Sequence, residues 1–138
     1  MRIFLDANIL FSAAKTDGAV RKLLGMLLGS GHECWVDDYV VAEARRNLVA
    51  KGPAALTALD QLLTRCRLAA AQALPRGTAD PETDWLPDKD RPVLAAAIRL
   101  RCAVLLTGDR THFGTSYGRE FSGVVIHSPR SLAEALFV

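Results

Sequence analysis

The chain has 138 residues, 50% of them apolar, enough for one domain with a real core and too few for two ordinary ones. A net charge of +2 excludes the strongly basic composition of a non-specific nucleic-acid binder, so affinity for a polyanion must come from local placement of the 17 Lys and Arg. Cys34, Cys66 and Cys102 are odd in number, far apart and without a C-x-x-C or Cys/His pattern, which argues against a disulfide framework or a zinc site and for reduced, mostly buried thiols.

The opening Arg2-Ile3-Phe4-Leu5 is an apolar strand closed by Asp6. It leaves no room for a signal peptide, and no later apolar run approaches the roughly 18 residues that span a bilayer, so a cytoplasmic protein with no membrane partner is expected. The first helix is expected after Asp17 as its cap, with Val20, Leu23, Leu24, Leu27 and Leu28 at helical spacing and Gly29 and Gly31 as its stop. A strand follows at Glu33 to Val36. Asp37 or Asp38 caps a helix from about Tyr39 to Lys51, and Gly52-Pro53 breaks it before a helix carrying Leu56, Leu59, Leu62 and Leu63. A strand is expected at Cys66 to Ala70, then a loop from Pro75 to Pro87, whose three prolines and scattered acids make it the most mobile element. Leu94, Ala97 and Ile98 mark a helix from Arg91 to Arg101, returning through Cys102-Ala103 to a strand that ends at Thr107. Val124-Val125-Ile126 is the last strand, and Ser128-Pro129 begins the last helix, carried by Leu132, Leu136 and Phe137. Strands alternating with helices predict an α/β fold with parallel strands and right-handed crossovers, as one domain over residues 1–138.

Two of the acids, Asp6 and Asp109, stand at the carboxyl ends of predicted strands, the edge where ligands bind in open parallel sheets. Each candidate also has a purely structural reading. Asp6 suits a turn or a helix cap, although Asn8, two residues on, is placed to bond a carboxylate or a water without adding charge. Glu43 lies one turn into its helix, where a solvated acid is favoured by the helix dipole, and it shares a face with Asn47. Asp90 precedes Arg91-Pro92 as a cap does, with Asp88 its competitor for any other role. Asp109 follows Thr107-Gly108, where glycine allows close backbone approach and threonine offers a hydroxyl. Two like charges about 4 Å apart repel by roughly 4 kcal/mol at an effective dielectric of about 20, so four gathered carboxylates need a cation among them. An all-oxygen set suits Mg2+ or Mn2+, ions that activate water and stabilise charge on a phosphate.

These residues carry a resemblance that runs nearly end to end. Ile3-Phe4-Leu5-Asp6-Ala7-Asn8, Ala42-Glu43-Ala44, the stretch from Asp88-Lys89-Asp90-Arg91-Pro92 to Ala97, and Leu106-Thr107-Gly108-Asp109 resemble the motifs of the PIN-domain nucleases, above all the VapC-like toxins of toxin–antitoxin pairs. The resemblance implies a three-layer α/β/α sandwich with a mainly parallel sheet. It implies that Asp6, Glu43, Asp90 and Asp109 bind magnesium or manganese and drive hydrolysis of single-stranded RNA, with Asn8 and Thr107 as supporting groups. It also implies a homodimer and a protein antitoxin. One stretch departs: Arg110-Thr111-His112-Phe113 stands where some family members place a further acid, which leaves the number of metal ions open. His112 has two readings, contact with a phosphate or packing in its loop, whereas His32 and His127 are read as structural.

Basic residues flank the acids: Arg45, Arg46 and Lys51 beside Glu43, Lys89 and Arg91 beside Asp90, and Arg110 beside Asp109. They are candidates for steering RNA, against the alternative of ordinary solvated faces. Trp85 is either a base-stacking platform or a core plug, and Trp35 a core residue. A dehalogenase-like phosphatase needs an acid where Asn8 stands, and a receiver domain needs a lysine after a later strand that is not evident. The remaining rivals are a PIN-like RNA-binding or scaffolding module without turnover and a housekeeping RNA-processing nuclease.

Overall fold

Strand β1 (Arg2–Leu5) owes its central place to having no polar side: Ile3, Phe4 and Leu5 are all fully buried. Successive strand residues point to opposite faces, so burial of consecutive residues requires cover on both. The computed structural model describes residues 1–72 and 80–137. Beside β1 lie β2 (Glu33–Asp37) and β4 (Val104–Leu106), both parallel to it, with Phe4 opposite Trp35 and Leu5 opposite Leu106. With β3 (Arg67–Ala69), β5 (Glu120–Phe121) and β6 (Val124–His127), the sheet runs β3-β2-β1-β4-β6-β5. All pairings are parallel except β5 with β6. The expected α/β/α architecture is therefore present, its core formed by Ile3, Phe4, Leu5, Leu105 and Ile126 with the buried faces of the helices.

Strands and helices fall largely where the periodicity puts them, apart from a short helix after Asp109 that the sequence reading does not assign and three further differences. First, the segment after β1, to which no element was assigned, is helix α1 (Ala7–Lys15). Ile9, Leu10, Ala13 and Ala14 recur at helical spacing on its buried face, and Asp6 caps it by accepting from the Ala7 N–H at 2.7 Å. Second, helix α2 (Ala19–Gly29) starts from Gly18 without a side-chain cap, while the exposed Asp17 pairs instead with Arg21 at 3.8 Å. Third, β5 was not expected. It forms a hairpin with β6 through Ser122 (φ 49°) and Gly123 (φ 86°), the two left-handed residues that a type I′ turn demands.

Helix α3 (Asp38–Lys51) is capped by Asp37, whose carboxylate accepts from the Val40 N–H at 3.1 Å. After a short 3-10 turn at Pro53–Ala55 comes α4 (Leu56–Leu63), and α1 packs against both α3 and α4. Helix α5 (Arg91–Arg99) lies against β4, a four-residue α6 (Arg110–Phe113) follows β4, and α7 (Pro129–Phe137) touches α2. Of the expected loop from Pro75 to Pro87, residues 75–79 lie outside the described residues; residues 80–87 wind through consecutive turns, with Thr83 and Leu86 buried. No helix among the described residues is long and apolar enough to cross a membrane. Cys34 and Cys102 are buried and Cys66 half-buried, all free thiols. Burial pushes the thiols of Cys34 and Cys66 up to about 12 and about 11, far from a reactive thiolate at neutral pH.

Candidate active site

The parallel register decides what meets at the carboxyl edge of the sheet. Because Leu5 sits opposite Leu106, the next residues, Asp6 and Thr107, are also neighbours. Asp6 N–H continues the ladder to the Leu106 carbonyl at 3.0 Å, and Thr107 N–H continues it to the His127 carbonyl at 3.0 Å. Fully buried Thr107 donates its hydroxyl to Asp6 Oδ2 at 2.8 Å. Asn8, on the first turn of α1, ties the two strand ends together. Its Oδ1 accepts from the Gly108 N–H at 2.7 Å, which fixes the amide's orientation and turns Nδ2 toward Asp6 Oδ2 (3.2 Å) and Thr107 Oγ1 (3.3 Å). A Cβ at residue 108 would meet Asn8 Oδ1 at 3.4 Å, an ordinary van der Waals contact. The Thr107 carbonyl accepts in turn from Tyr117 Oη at 3.2 Å.

Above this edge opens a cleft of about 300 Å³ lined by Asp6, Ala7, Asn8, Glu43, Asn47, Lys89, Asp90, Gly108 and Asp109. All four predicted acids thus share one cavity although they are spread from residue 6 to residue 109. Four segments deliver them to it: the end of β1, the first turns of α3, the loop that leads into α5 and the loop that leads into α6. Asp90 precedes α5 as a cap residue does, yet its side chain makes no cap hydrogen bond. It is only 7% exposed, and its Oδ2 has no hydrogen-bond partner. Asp109 does cap, accepting from the His112 N–H at 3.1 Å, and its N–H donates to Thr107 Oγ1 at 3.2 Å.

His112 is turned into the acidic group rather than packed away in its loop. Its Nδ1 lies 2.8 Å from Asp109 Oδ2 and 2.8 Å from Asp90 Oδ2. One ring N–H donates to one acceptor at a time, and the bond formed is the one to Asp109, which is why Asp90 Oδ2 stays unsatisfied. Ligand atoms of Asp90, Asp109 and His112 all lie within 4.8 Å of one another.

The electrostatics reflect this crowding. Burial first, then the charges of Glu43 and Asp90, push the Asp6 carboxyl up to about 6, against the hydrogen bonds from Thr107 and Ala7 that favour its ionised form. Burial likewise raises Asp90 above the usual carboxylate range, the charges of Asp109 and Glu43 adding to it while His112 and Lys89 oppose it. The phenol of Tyr39 is raised by burial and then by Glu43, Asp90 and Asp6, and its hydroxyl donates to the Lys89 carbonyl at 2.6 Å. The site holds more negative charge than its own hydrogen bonds relieve. An orphaned buried carboxylate oxygen among further carboxylates is the environment a hard divalent cation fits.

The basic candidates are placed unequally. Lys89 lines the cleft. Arg46, Lys51 and Arg110 are exposed. Arg45 is held by Asp60 at 2.7 Å, and Arg91 binds the Leu86 and Asp84 carbonyls and Asp88, so its guanidinium pins the turn ahead of α5. Asp88 is thereby directed to Arg91 and not to the cleft. Trp85 stacks on Phe121 with ring centroids 5.0 Å apart, is 38% exposed, and donates Nε1–H to the Glu82 carbonyl. Trp35 is half-buried beneath the Arg2 guanidinium. His32 bonds the amino terminus, and His127 bonds Ser131. Tyr39 and Tyr117 were not foreseen as site residues, because an isolated tyrosine carries no signal until the fold shows what its hydroxyl reaches.

Residues 2–111 match the family model for the PIN domain. The fold is similar to that in the crystal structure of VapBC2 from Rickettsia felis bound to a DNA fragment from their promoter, with 17% sequence identity, a TM-score of 0.65, and coverage of 93% of this chain and 98% of that one. No curated protein matches the chain. Since the matched stretch carries all four acids and most of the chain, the chain belongs to the PIN-domain family.

Proposed function

We propose that this chain is a Mg2+- or Mn2+-dependent endoribonuclease acting on single-stranded RNA, and the toxin component of a toxin–antitoxin pair. The observation that carries the reading is the convergence of Asp6, Glu43, Asp90 and Asp109 on one cleft, with Asp90 Oδ2 buried and unpartnered. Asp6, Asp90 and Asp109, with Glu43, would hold the ion. When bound, such an ion supplies an activated water and stabilises charge on the scissile phosphate. The chain's own groups do the positioning. Thr107 and Asn8 bind Asp6 Oδ2 and keep that carboxylate ionised and aimed, while Asn47 offers an uncharged amide beside Glu43. Lys89 on the rim, with the exposed Arg46 and Arg110, draws a polyanion toward a centre whose own charge is negative. Arg45 and Arg91, held in ion pairs, contribute less to that field. An antitoxin partner is supported by the likeness to the VapBC2 complex, and a homodimer by the family resemblance.

The decisive experiment is to incubate total RNA with purified wild type and with Asp6→Asn, each with manganese or with chelator, and to sequence the ends produced. Ends that require both Asp6 and the metal are the expected result. Cleavage that survives exhaustive chelation sinks the mechanism, and RNA binding without new ends identifies a binding module. An active wild type that causes no growth arrest on expression identifies a housekeeping nuclease instead of a toxin.

A further inference from the structure

We propose that His112 is a nitrogen ligand of this same centre, and that it makes the site prefer Mn2+ to Mg2+. The proposal rests on the reading of the acidic cleft as a metal centre. Its geometric basis is the four-residue α6: Asp109 caps it, and His112 follows at i+3, so one helical turn brings the imidazole onto the face that Asp109 occupies. A histidine that merely packed in this loop would satisfy its ring nitrogens against nearby backbone or solvent. Here Nδ1 is aimed between two carboxylates, 2.8 Å from an oxygen of each. Adjacent ligands of an octahedral ion with bonds of about 2.1 Å stand about 3.0 Å apart, so these separations are those of atoms able to share one ion. A second observation points the same way: Asp90 Oδ2 is buried beside the ring and accepts no hydrogen bond.

The donor chemistry sets the consequence. Magnesium is a hard ion that favours carboxylate, carbonyl and water oxygens, and gains little from an imidazole. Manganese also favours oxygen donors, but as a first-row transition-metal ion it gains more from an imidazole nitrogen than magnesium does. A centre of Asp90, Asp109 and His112 backed by Asp6 and Glu43 therefore discriminates between two ions that an all-carboxylate centre treats more nearly alike.

The test reads metal binding directly, apart from activity. Metal-stripped full-length protein is titrated calorimetrically with Mn2+ and with Mg2+, and substoichiometric bound Mn2+ is examined by pulsed electron paramagnetic resonance for coupling to 14N of a directly bound imidazole. Wild type is expected to show that coupling. His112→Gln, which offers an amide oxygen in place of the ring nitrogen, is expected to lose it, to weaken Mn2+ binding by about tenfold or more, and to leave Mg2+ binding nearly unchanged. Bound Mn2+ without nitrogen coupling in the wild type, a measurement that needs no variant to fold, overturns the ligand role and leaves His112 a positioning residue. Coupling that persists in His112→Gln overturns it equally. Mn2+ affinity indifferent to both Asp90→Asn and Asp109→Asn overturns the metal-centre reading itself, and the ligand role with it.

Discussion

Replacing Asp6 by Asn is expected to stabilise the metal-free chain, although it removes a residue that caps a helix and joins two strands. Asp6 is 4% exposed, and its carboxyl is held at about 6 against an ordinary value of 3.8, burial being the main cause and the Glu43 and Asp90 charges adding to it. At about 1.4 kcal/mol per tenfold, that gap makes the ionised Asp6 cost about 3 kcal/mol of stability at neutral pH. The sign is the reverse of the usual paired carboxylate. The folded chain keeps a proton that the unfolded chain has released, so stability falls as pH rises from about 4 to about 6, and the full cost is present above that window. The hydrogen bonds from Thr107 and Ala7 are already within the displaced value, since both oppose it. Asparagine keeps an acceptor for the Ala7 N–H but presents an amide donor to Thr107 and Asn8, a mismatch worth about 1 kcal/mol. The net gain is about 2 kcal/mol at pH 7.5, or about 7 °C in Tm for an unfolding entropy of roughly 2.1 cal/mol/K per residue. Urea unfolding in chelator at about pH 7.5 and about pH 4 measures it: the variant is expected to lead at the higher pH, and the lead to vanish at the lower. An ion at about 100 times its Kd adds about 2.7 kcal/mol to the wild type and should close or reverse the gap. A variant less stable than wild type in chelator at neutral pH, or a gap that ignores pH, refutes the account of a strained carboxylate.

Three further outcomes are expected. Asp90→Asn and Asp109→Asn should each lower RNA cleavage by about a hundredfold or more while far-UV circular dichroism is unchanged, because each removes charge from a cation worth several kcal/mol at the transition state; Asp88→Asn, whose carboxylate faces Arg91, should cleave as wild type. Gly123→Ala should cost about 1–2 kcal/mol in thermal unfolding, since alanine must be held at φ 86° in the β5–β6 turn; a change below a few tenths would show that the turn relaxes. Light scattering at micromolar concentration should return twice the monomer mass, a persistent monomer would refute the homodimer, and co-expression of a small adjacent reading frame should relieve any growth arrest.

Much of this protein is legible without coordinates. The parallel strands are fully apolar because both of their faces are covered, so β1 and β4 read as continuous hydrophobic runs. Helices α3, α4, α5 and α7 declare themselves by leucine and alanine spacing and by the caps and breakers around them. The four acids could be picked out because Asp6, Asp90 and Asp109 each follow or precede such an element and Glu43 sits one turn into a helix, positions set by local chemistry. Helix α1 was missed although its apolar residues have helical spacing, because Asp6 is at once the end of a strand, the cap of that helix and a member of the cleft, and its local environment alone does not rank those roles. The β5–β6 hairpin escaped for a related reason: a two-residue strand carries too little pattern to be seen apart from its partner.

What the chain alone could not decide is which groups meet. Asp90 sits where a cap belongs, and only the packing of α5 against the sheet edge turns its side chain into the cleft and leaves Oδ2 unpartnered. Arg45 and Arg91 look like Lys89 in sequence, yet Asp60 and the turn before α5 occupy the first two, while the third lines the cavity. His112 reads as a loop histidine until a single helical turn sets it between two carboxylates that lie 19 residues apart in the chain. Residue type, spacing and caps are local quantities, and the sequence by itself determines them. Burial, orphaned hydrogen-bonding capacity and the crowding of like charges arise between distant segments, and exist only once the parallel register of β1 on β4 has brought Asp6 beside Thr107.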